Sequence, residues 1–301
     1  MTEHEKNTHL VFSIAVHESA ESVYDLVDNI NYFCLNPLIV IHVPQDSKMT
    51  LDISKYNNVY INRTKLLTGY VDGTLTFVHI ENYLECKRIG LQFDYFIPFG
   101  SNQLFIKSGI ENYIHNSVKN ESSSPEKKDY HYKVYLRDKS AYKLLESNIR
   151  KSAPEGTYYR YDVMEYMLSS GVEQYYKKNI WAYRCQLGFR IRKFSSLLTR
   201  VMVKLKLVSL VPSFMAKFSY ASEEIIFPSI KYAGIERKVF CFIPWERENI
   251  KVTIKDIEYL ICQNSHYYTV KRVERDYYDE IRVFIRENIA EGYKKNKPNQ
   301  V

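Results

Sequence analysis

Two short, nearly unbroken apolar runs open the chain, Leu10-Val11-Phe12-Ser13-Ile14-Ala15-Val16 and Leu38-Ile39-Val40-Ile41-His42-Val43. Runs of this length without polar alternation read as strands covered on both faces, as in a parallel sheet. Between them Val23, Leu26, Val27 and Ile30 recur at helical spacing, with Ser19 or Ser22 placed to cap the helix. Further along, Asn58-Val59-Tyr60-Ile61 reads as a third strand and Leu75 to Cys86 as a helix. Tyr95-Phe96-Ile97-Pro98 reads as another strand, stopping at Phe99-Gly100-Ser101-Asn102. Alternation of strand and helix predicts an α/β fold, a mixed and mainly parallel twisted sheet flanked by helices, in one domain over residues 1–301. The polar stretch 116–129, with Asn120-Glu121-Ser122-Ser123-Ser124-Pro125, reads as a loop, and 291–301 as a frayed tail. In such sheets ligands bind beyond the carboxyl ends of the strands, where Val16, His17, Glu18 and His42 fall.

The 301 residues are 45% hydrophobic, enough to bury a substantial core. Five cysteines, widely separated and without metal-ligand spacing, are expected to be free thiols. The apolar run at Leu10 to Val16 is too short for a membrane span, and the expected location is the cytoplasm. No Gly-x-Gly-x-x-Gly follows the first strand and no Walker lysine loop occurs, which argues against dinucleotide and P-loop sites. The net charge of +7 is densest between Lys177 and Lys217 and again from Lys271 onward. It suits an anionic partner such as a nucleotide diphosphate or a phospholipid surface, with no motif for nucleic acid. From Phe194 to Phe218 apolar residues alternate with Arg200, Lys204, Lys206 and Lys217, which fits either a membrane-interface segment or a half-buried helix with snorkelling lysines.

Two adjacent carboxylates, Glu223 and Glu224, stand at the mouth of the run Ile225-Ile226-Phe227-Pro228-Ser229-Ile230. With Ser222 as N-cap they would simply suit the first turn of a helix. Alternatively one of them faces a cleft and accepts a proton from an attacking hydroxyl.

The segment Ala221-Ser222-Glu223-Glu224-Ile225-Ile226-Phe227-Pro228-Ser229-Ile230 resembles the Ser-Pro-Asp-Glu-x-x-Phe/Trp-x-Thr-Leu motif of glycosyltransferase family 14, the core-2/I-branching β-1,6-N-acetylglucosaminyltransferases and peptide O-xylosyltransferases. Ser222 and Glu223 replace the motif's Pro and Asp, and Glu224 matches the family's catalytic glutamate. The block Phe93 to Phe105 is similar to the family's Tyr-x-x-x-Leu-Ser-Gly-Gln-Asp-Tyr-Pro-Leu, with its Asp replaced so that Asn102 or Gln103 would serve. Pro154-Glu155-Gly156-Thr157-Tyr158-Tyr159 resembles a Glu-Gly-Ser-Phe-Phe segment near the acceptor site, and Val270-Lys271-Arg272-Val273-Glu274 resembles a late Ala-Arg-Lys-Phe-Asp block. Residues Tyr159 to Tyr220 match least, and the family's Gly-Ser-Gln-Trp element is not recognisable there.

The resemblance implies a GT-A type fold, with a nucleotide-binding half over 1–115 and an acceptor and catalytic half over 130–290. It implies inverting transfer of a sugar, N-acetylglucosamine or a relative, from a UDP-sugar to a hydroxyl of a glycan or lipid-linked oligosaccharide, in the style of bacterial surface polysaccharide synthesis. Glu224 would be the base. Val16, His17, Glu18 and His42 would contact the nucleotide, and Ser101, Asn102, Gln103 and Glu155 the acceptor. The family needs no metal, and the chain has no Asp-x-Asp to hold one. Basic side chains would then neutralise the departing diphosphate: Arg272, Arg237 or Lys238, with Lys271 and Arg275 as near alternatives. The bare pattern of Lys271, Arg272 and Arg275 with Glu274 and Asp276 equally suits a solvated surface helix. Loss of the motif Asp leaves a non-catalytic carbohydrate- or nucleotide-binding relative as the alternative.

Overall fold

Successive residues of an extended strand point to opposite faces. In β1 (Leu10–Ala15) the side chains of Leu10, Phe12 and Ile14 enter one apolar cluster, together with Val23, Leu26, Val27 and Ile30 of helix α1 (Ala20–Phe33). Val11 and Ala15 enter a second cluster on the other face, with Phe77, Val78 and Ile80 of helix α2 (Thr74–Arg88). The sheet is thus covered on both sides, as the unbroken apolar runs predict. Each fully buried Ile or Phe in these layers contributes about 2–3 kcal/mol.

The computed structural model describes residues 8–115, 119–120, 122–145, 149–229 and 236–293, with backbone alone at 119–120 and 236–237. The fold is α/β. Strands β1, β2 (Pro37–His42), β3 (Val59–Ile61), β4 (Tyr95–Gly100) and β7 (Tyr159–Arg160) form one mixed sheet in the order β3-β2-β1-β4-β7. Four of these are parallel, with Leu10 opposite both Pro37 and Tyr95, and β7 runs antiparallel to β4. A smaller sheet sets β10 (Thr269–Lys271) between β5 (Gln103–Phe105) and β9 (Cys241–Phe242). Lys119–Asn120 pairs with Glu236–Arg237 as β6 and β8. Each strand and helix expected in the first 105 residues is present, with ends shifted by no more than three residues.

Ser19 caps α1 as expected, its hydroxyl accepting from the Ser22 amide at 3.3 Å. Ser22 is used differently: its hydroxyl donates to the Arg275 carbonyl at 2.9 Å and tethers a late segment to the start of α1. A buried arginine reinforces that tether. Arg282 donates to Asp25 at 2.7 Å, to the Glu274 carbonyl at 2.8 Å and to the Ser101 carbonyl at 3.3 Å, while Arg286 takes the other Asp25 oxygen at 2.9 Å. Breaking one side of a buried pair typically costs about 3–5 kcal/mol, so this group fixes residues 274–286 onto the sheet.

Candidate functional site

Strand β1 has β2 on one side and β4 on the other, so the chain departs from it in two directions and leaves a crevice beyond the carboxyl ends of β1 and β4. Residues from four separate segments meet there. Glu18, just past β1, accepts from Ser101 past β4 and from Arg275 Nε, the latter at 2.5 Å, and its second oxygen accepts from the His17 amide at 2.7 Å. Lys271, at the end of β10, reaches over Gly100 and pairs with Glu155; a Cβ on Gly100 would lie 3.5 Å from its Nζ. Arg272 follows in a left-handed conformation (φ 74°) with its guanidinium 5.6 Å from the Trp245 ring. Such a φ is uncommon for a residue with a Cβ and costs of the order of 1 kcal/mol or more. It turns the chain abruptly, so Lys271, Arg272 and Arg275 do not lie on a surface helix; β10 ends at Lys271 and no helix begins before Glu280.

Lys271 and Arg275 therefore meet at this edge, with Arg272 near enough for its charge to act on Lys271. Burial, followed by the fields of Arg272 and Arg275, pulls the Lys271 ammonium down from its ordinary value to about 7. Glu155, in contact with it, works against that fall. Any other anion in contact with the ammonium would act in the same sense as Glu155. His17 is solvent-exposed yet crowded enough that desolvation lowers its pKa. His42 is fully buried and accepts from the Leu66 amide at 2.9 Å through Nε2, with Nδ1 unpartnered among the described residues. Burial and the neighbouring His17 lower it to about 4, so it is neutral at physiological pH. His79 on α2, its Nδ1 2.8 Å from Ser13 Oγ, is lowered to about 3 by burial, with His42 and Lys271 adding to the fall.

The acidic pair lies on the α2 side of the same edge. Gly73, at φ 75°, begins α2, and a Cβ there would lie 2.9 Å from Ser222 Oγ and 3.2 Å from Tyr183 Oη. That close approach brings the short helix Glu223–Ile226 against the start of α2. The expected N-cap is absent: Ser222 has helical angles (φ −67°, ψ −24°) and its hydroxyl meets Thr76 at 2.6 Å instead of a backbone amide. Glu223 is no surface cap either. It is buried, with Thr76 donating to it at 3.4 Å, and desolvation, then the Glu224 charge, raise its pKa from 4.5 to about 8.

Glu224 retains 26% of its side-chain surface and lies 3.6 Å from Lys151, which also contacts Asp129 at 2.5 Å. His131 joins this group, accepting from the Ala221 amide at 3.1 Å, its pKa lowered chiefly by burial and raised in part by Glu224. The Ser152 amide bonds the Glu224 carbonyl at 3.1 Å, and three residues later Glu155 meets Lys271, so one loop links the acidic and basic groups.

Raised burial of Glu223 has a measurable signature. Between pH 4.5 and about 8 the unfolded chain releases this proton while the folded one keeps it, so this group makes stability fall as pH rises across that window. The slope is at most about 1.4 kcal/mol per pH unit for one proton. Glu223→Gln should flatten it, giving a urea midpoint that gains on wild type at pH 8 and not at pH 5; parallel pH profiles of the two proteins would refute the assignment.

The remaining sequence expectations fall as follows. Val16 is fully buried, its amide bonded to the His42 carbonyl at 3.1 Å, so its side chain belongs to the core. Asn102 is buried and its carbonyl accepts from the Val273 amide at 3.3 Å. Gln103 is fully buried, with its amide spanning the Gly100 backbone (3.2 Å) and Thr269 (2.8 Å), so it builds the turn that carries Ser101. Lys238 is exposed and its carbonyl accepts from Tyr113 at 2.6 Å. The Arg237 side chain lies outside the described residues, its backbone pairing with Asn120. His79, Lys151 and His131 escaped the sequence reading. Lys151 had a signal, standing just before the Pro154-Glu155-Gly156 block, and Thr76 and His79 are spaced to share one face of α2; His131 had none.

Among the described residues no group of three or more His, Cys, Asp or Glu side chains is arranged to hold a metal ion. A pocket of about 820 Å³ also opens at the opposite edge of the sheet, before the starts of β1, β2 and β3, lined in part by Asp28, Tyr56 and Glu111. The sequence matches no known protein-family model and no curated protein.

Proposed function

We propose that the chain is an inverting glycosyltransferase of GT-A type that takes its sugar from a UDP-sugar and places it on a hydroxyl of a glycan or lipid-linked oligosaccharide. The observation carrying this reading is the meeting of Lys271 and Arg275 at the ends of β1 and β4, with Arg272 beside them. A nucleoside diphosphate is the ligand whose charge fits three cations at a sheet switch point. The reaction needs little else at the donor. The acceptor oxygen bonds to the anomeric carbon, the bond from that carbon to the β-phosphate oxygen breaks, and UDP leaves with the electron pair, its charge met by the three cations. The acceptor proton passes to Glu224, which lies 3.6 Å from Lys151. Glu223, protonated behind it, carries no competing charge. Family 14 resemblance and the absence of Asp-x-Asp support a cation clamp in place of a metal.

Engagement of Glu224 by Lys151 and of Lys271 by Glu155 supports a second reading, a carbohydrate- or nucleotide-binding protein that does not turn over. A panel of UDP-sugars separates them. UDP and its matched sugar should raise the melting temperature without added metal, and slow release of UDP in the absence of acceptor should accompany binding if the centre is catalytic. No shift with any uridine nucleotide would sink both readings.

A further inference from the structure

Helix α3 (Gln186–Lys204) packs Ile191, Leu198, Met202 and Val203 half-buried against the core, yet carries a second set of apolar residues on the side away from the protein. Its buried positions are Gly188, Arg192, Ser195, Ser196 and Thr199, none of them a large hydrophobe. The exposed side bears Leu187, Phe194, Leu197 and Val201, spaced to form one stripe, with Leu187 66% and Phe194 64% exposed. Beyond the helix Leu205, Leu210 and Phe214 are exposed as well.

An ordinary surface helix buries its large hydrophobes fully, whereas those α3 turns inward are only half-buried, so a polar anchor helps to fix it. Arg192 does this. It is fully buried, pairs with Asp72, donates to the Leu67 carbonyl at 2.6 Å and the Ala182 carbonyl at 2.9 Å, and stacks 4.1 Å from the Tyr183 ring. Gly188 allows the rest of the approach, since a Cβ there would lie 2.5 Å from Ala182 Cα.

Charge identifies what covers the stripe. Residues 174–222 contain ten lysines and arginines and no aspartate or glutamate. Arg184, Arg190, Lys193, Lys204 and Lys206 are exposed around the apolar side chains. A protein partner or a second copy of this chain would bring its own +7 charge or need a matching acidic surface, whereas an anionic bilayer offers hydrocarbon and negative headgroups together. Among the described residues no helix is long and apolar enough to cross a membrane. We infer that α3 and the segment through Phe214 form an in-plane docking face for an anionic lipid bilayer.

Binding here follows from the surface itself and would hold whether or not the site transfers sugar. Its position matters to the site all the same. Asp72, held by Arg192, also accepts from the Thr74 amide at 3.1 Å, and Thr76 one turn on meets Ser222 and Glu223. The helix that carries the docking face is thus tied through Arg192 to the segment that holds the carboxylates.

The test is vesicle flotation with the whole chain. Wild type should float with vesicles of phosphatidylglycerol and phosphatidylcholine in about equal parts at low salt, and be released at high salt. The pairs Phe194→Asp with Leu197→Asp, and Lys204→Glu with Lys206→Glu, should each lower partitioning by roughly tenfold or more while circular dichroism and melting temperature stay at wild-type values. Recovery of wild type in the soluble fraction with every vesicle would overturn the proposal. So would equal flotation with pure phosphatidylcholine that neither pair alters, or a lipid-free dimer in sedimentation that the Phe194 and Leu197 changes dissociate, since a second copy would then cover the stripe.

Discussion

Replacing Glu224 by Gln is expected to lower sugar transfer by about 10²–10⁴-fold, the usual contribution of a positioned general base, with UDP affinity unchanged. The expectation rests on the division between two adjacent carboxyls. Glu224 keeps a quarter of its side-chain surface and faces a lysine, so it is reachable from solvent. Glu223 is buried, and with its pKa near 8 it holds its proton at neutral pH and cannot accept another. Gln is a close mimic of a protonated carboxyl, so Glu223→Gln should cost transfer less than about tenfold, the scale of a lost neutral hydrogen bond. Initial rates with saturating UDP-sugar, alongside UDP titrations by calorimetry, separate the two variants. If Glu223→Gln is the inactive one and Glu224→Gln turns over normally, the roles are reversed.

Lys271→Met should weaken UDP binding by about 10–100-fold, corresponding to the loss of one charge-assisted hydrogen bond in a partly buried site. A neutral side chain of similar length keeps the packing over Gly100, so the loss reports charge. The pH dependence is more telling. With the free-protein ammonium titrating near 7, a diphosphate that needs it charged binds best below pH 7 and loses affinity as pH rises, by at most tenfold per unit. Lys271→Arg, charged throughout, should bind with little dependence between pH 6 and 9, and Lys271→Met should bind weakly and equally without it. Wild-type affinity that is flat over that range would remove Lys271 from the diphosphate site.

The first hundred residues were the legible part of the chain. Leu10 to Val16 and Leu38 to Val43 are buried on both faces, and burial on both faces leaves an unbroken apolar run that periodicity reads directly. Short elements left no such trace: β7, β8 and β9 are two residues each, and β10 is three. What they pair with is set by tertiary contacts, as when Gln103 and Thr269 share a hydrogen bond across 166 positions.

Candidate site residues divide the same way. Glu18, Ser101, Glu155 and Lys271 come together although each was singled out on separate local grounds, and two of them were assigned to the acceptor. The misreading of Ser222 has a physical cause. Ser followed by two glutamates before an apolar run is the usual sign of a capped helix, but the approach at Gly73 gives the hydroxyl a side-chain partner and places Glu223 out of water. Lys151 and His131 became relevant only through the packing that surrounds Glu224, which no linear spacing encodes.

Strand β10 sits between β5 and β9 in its sheet, and it brings Lys271 to a sheet edge whose parallel strands are complete by Gly100. A chain growing from its amino terminus therefore finishes the sheet edge long before it can receive the cation that would neutralise a diphosphate. Until residue 271 emerges and pairs beside Gln103, the nascent protein lacks the Lys271 ammonium at that edge. On the proposed function, a truncation ending before β10 is expected to lose nucleotide binding even with the four parallel strands in place.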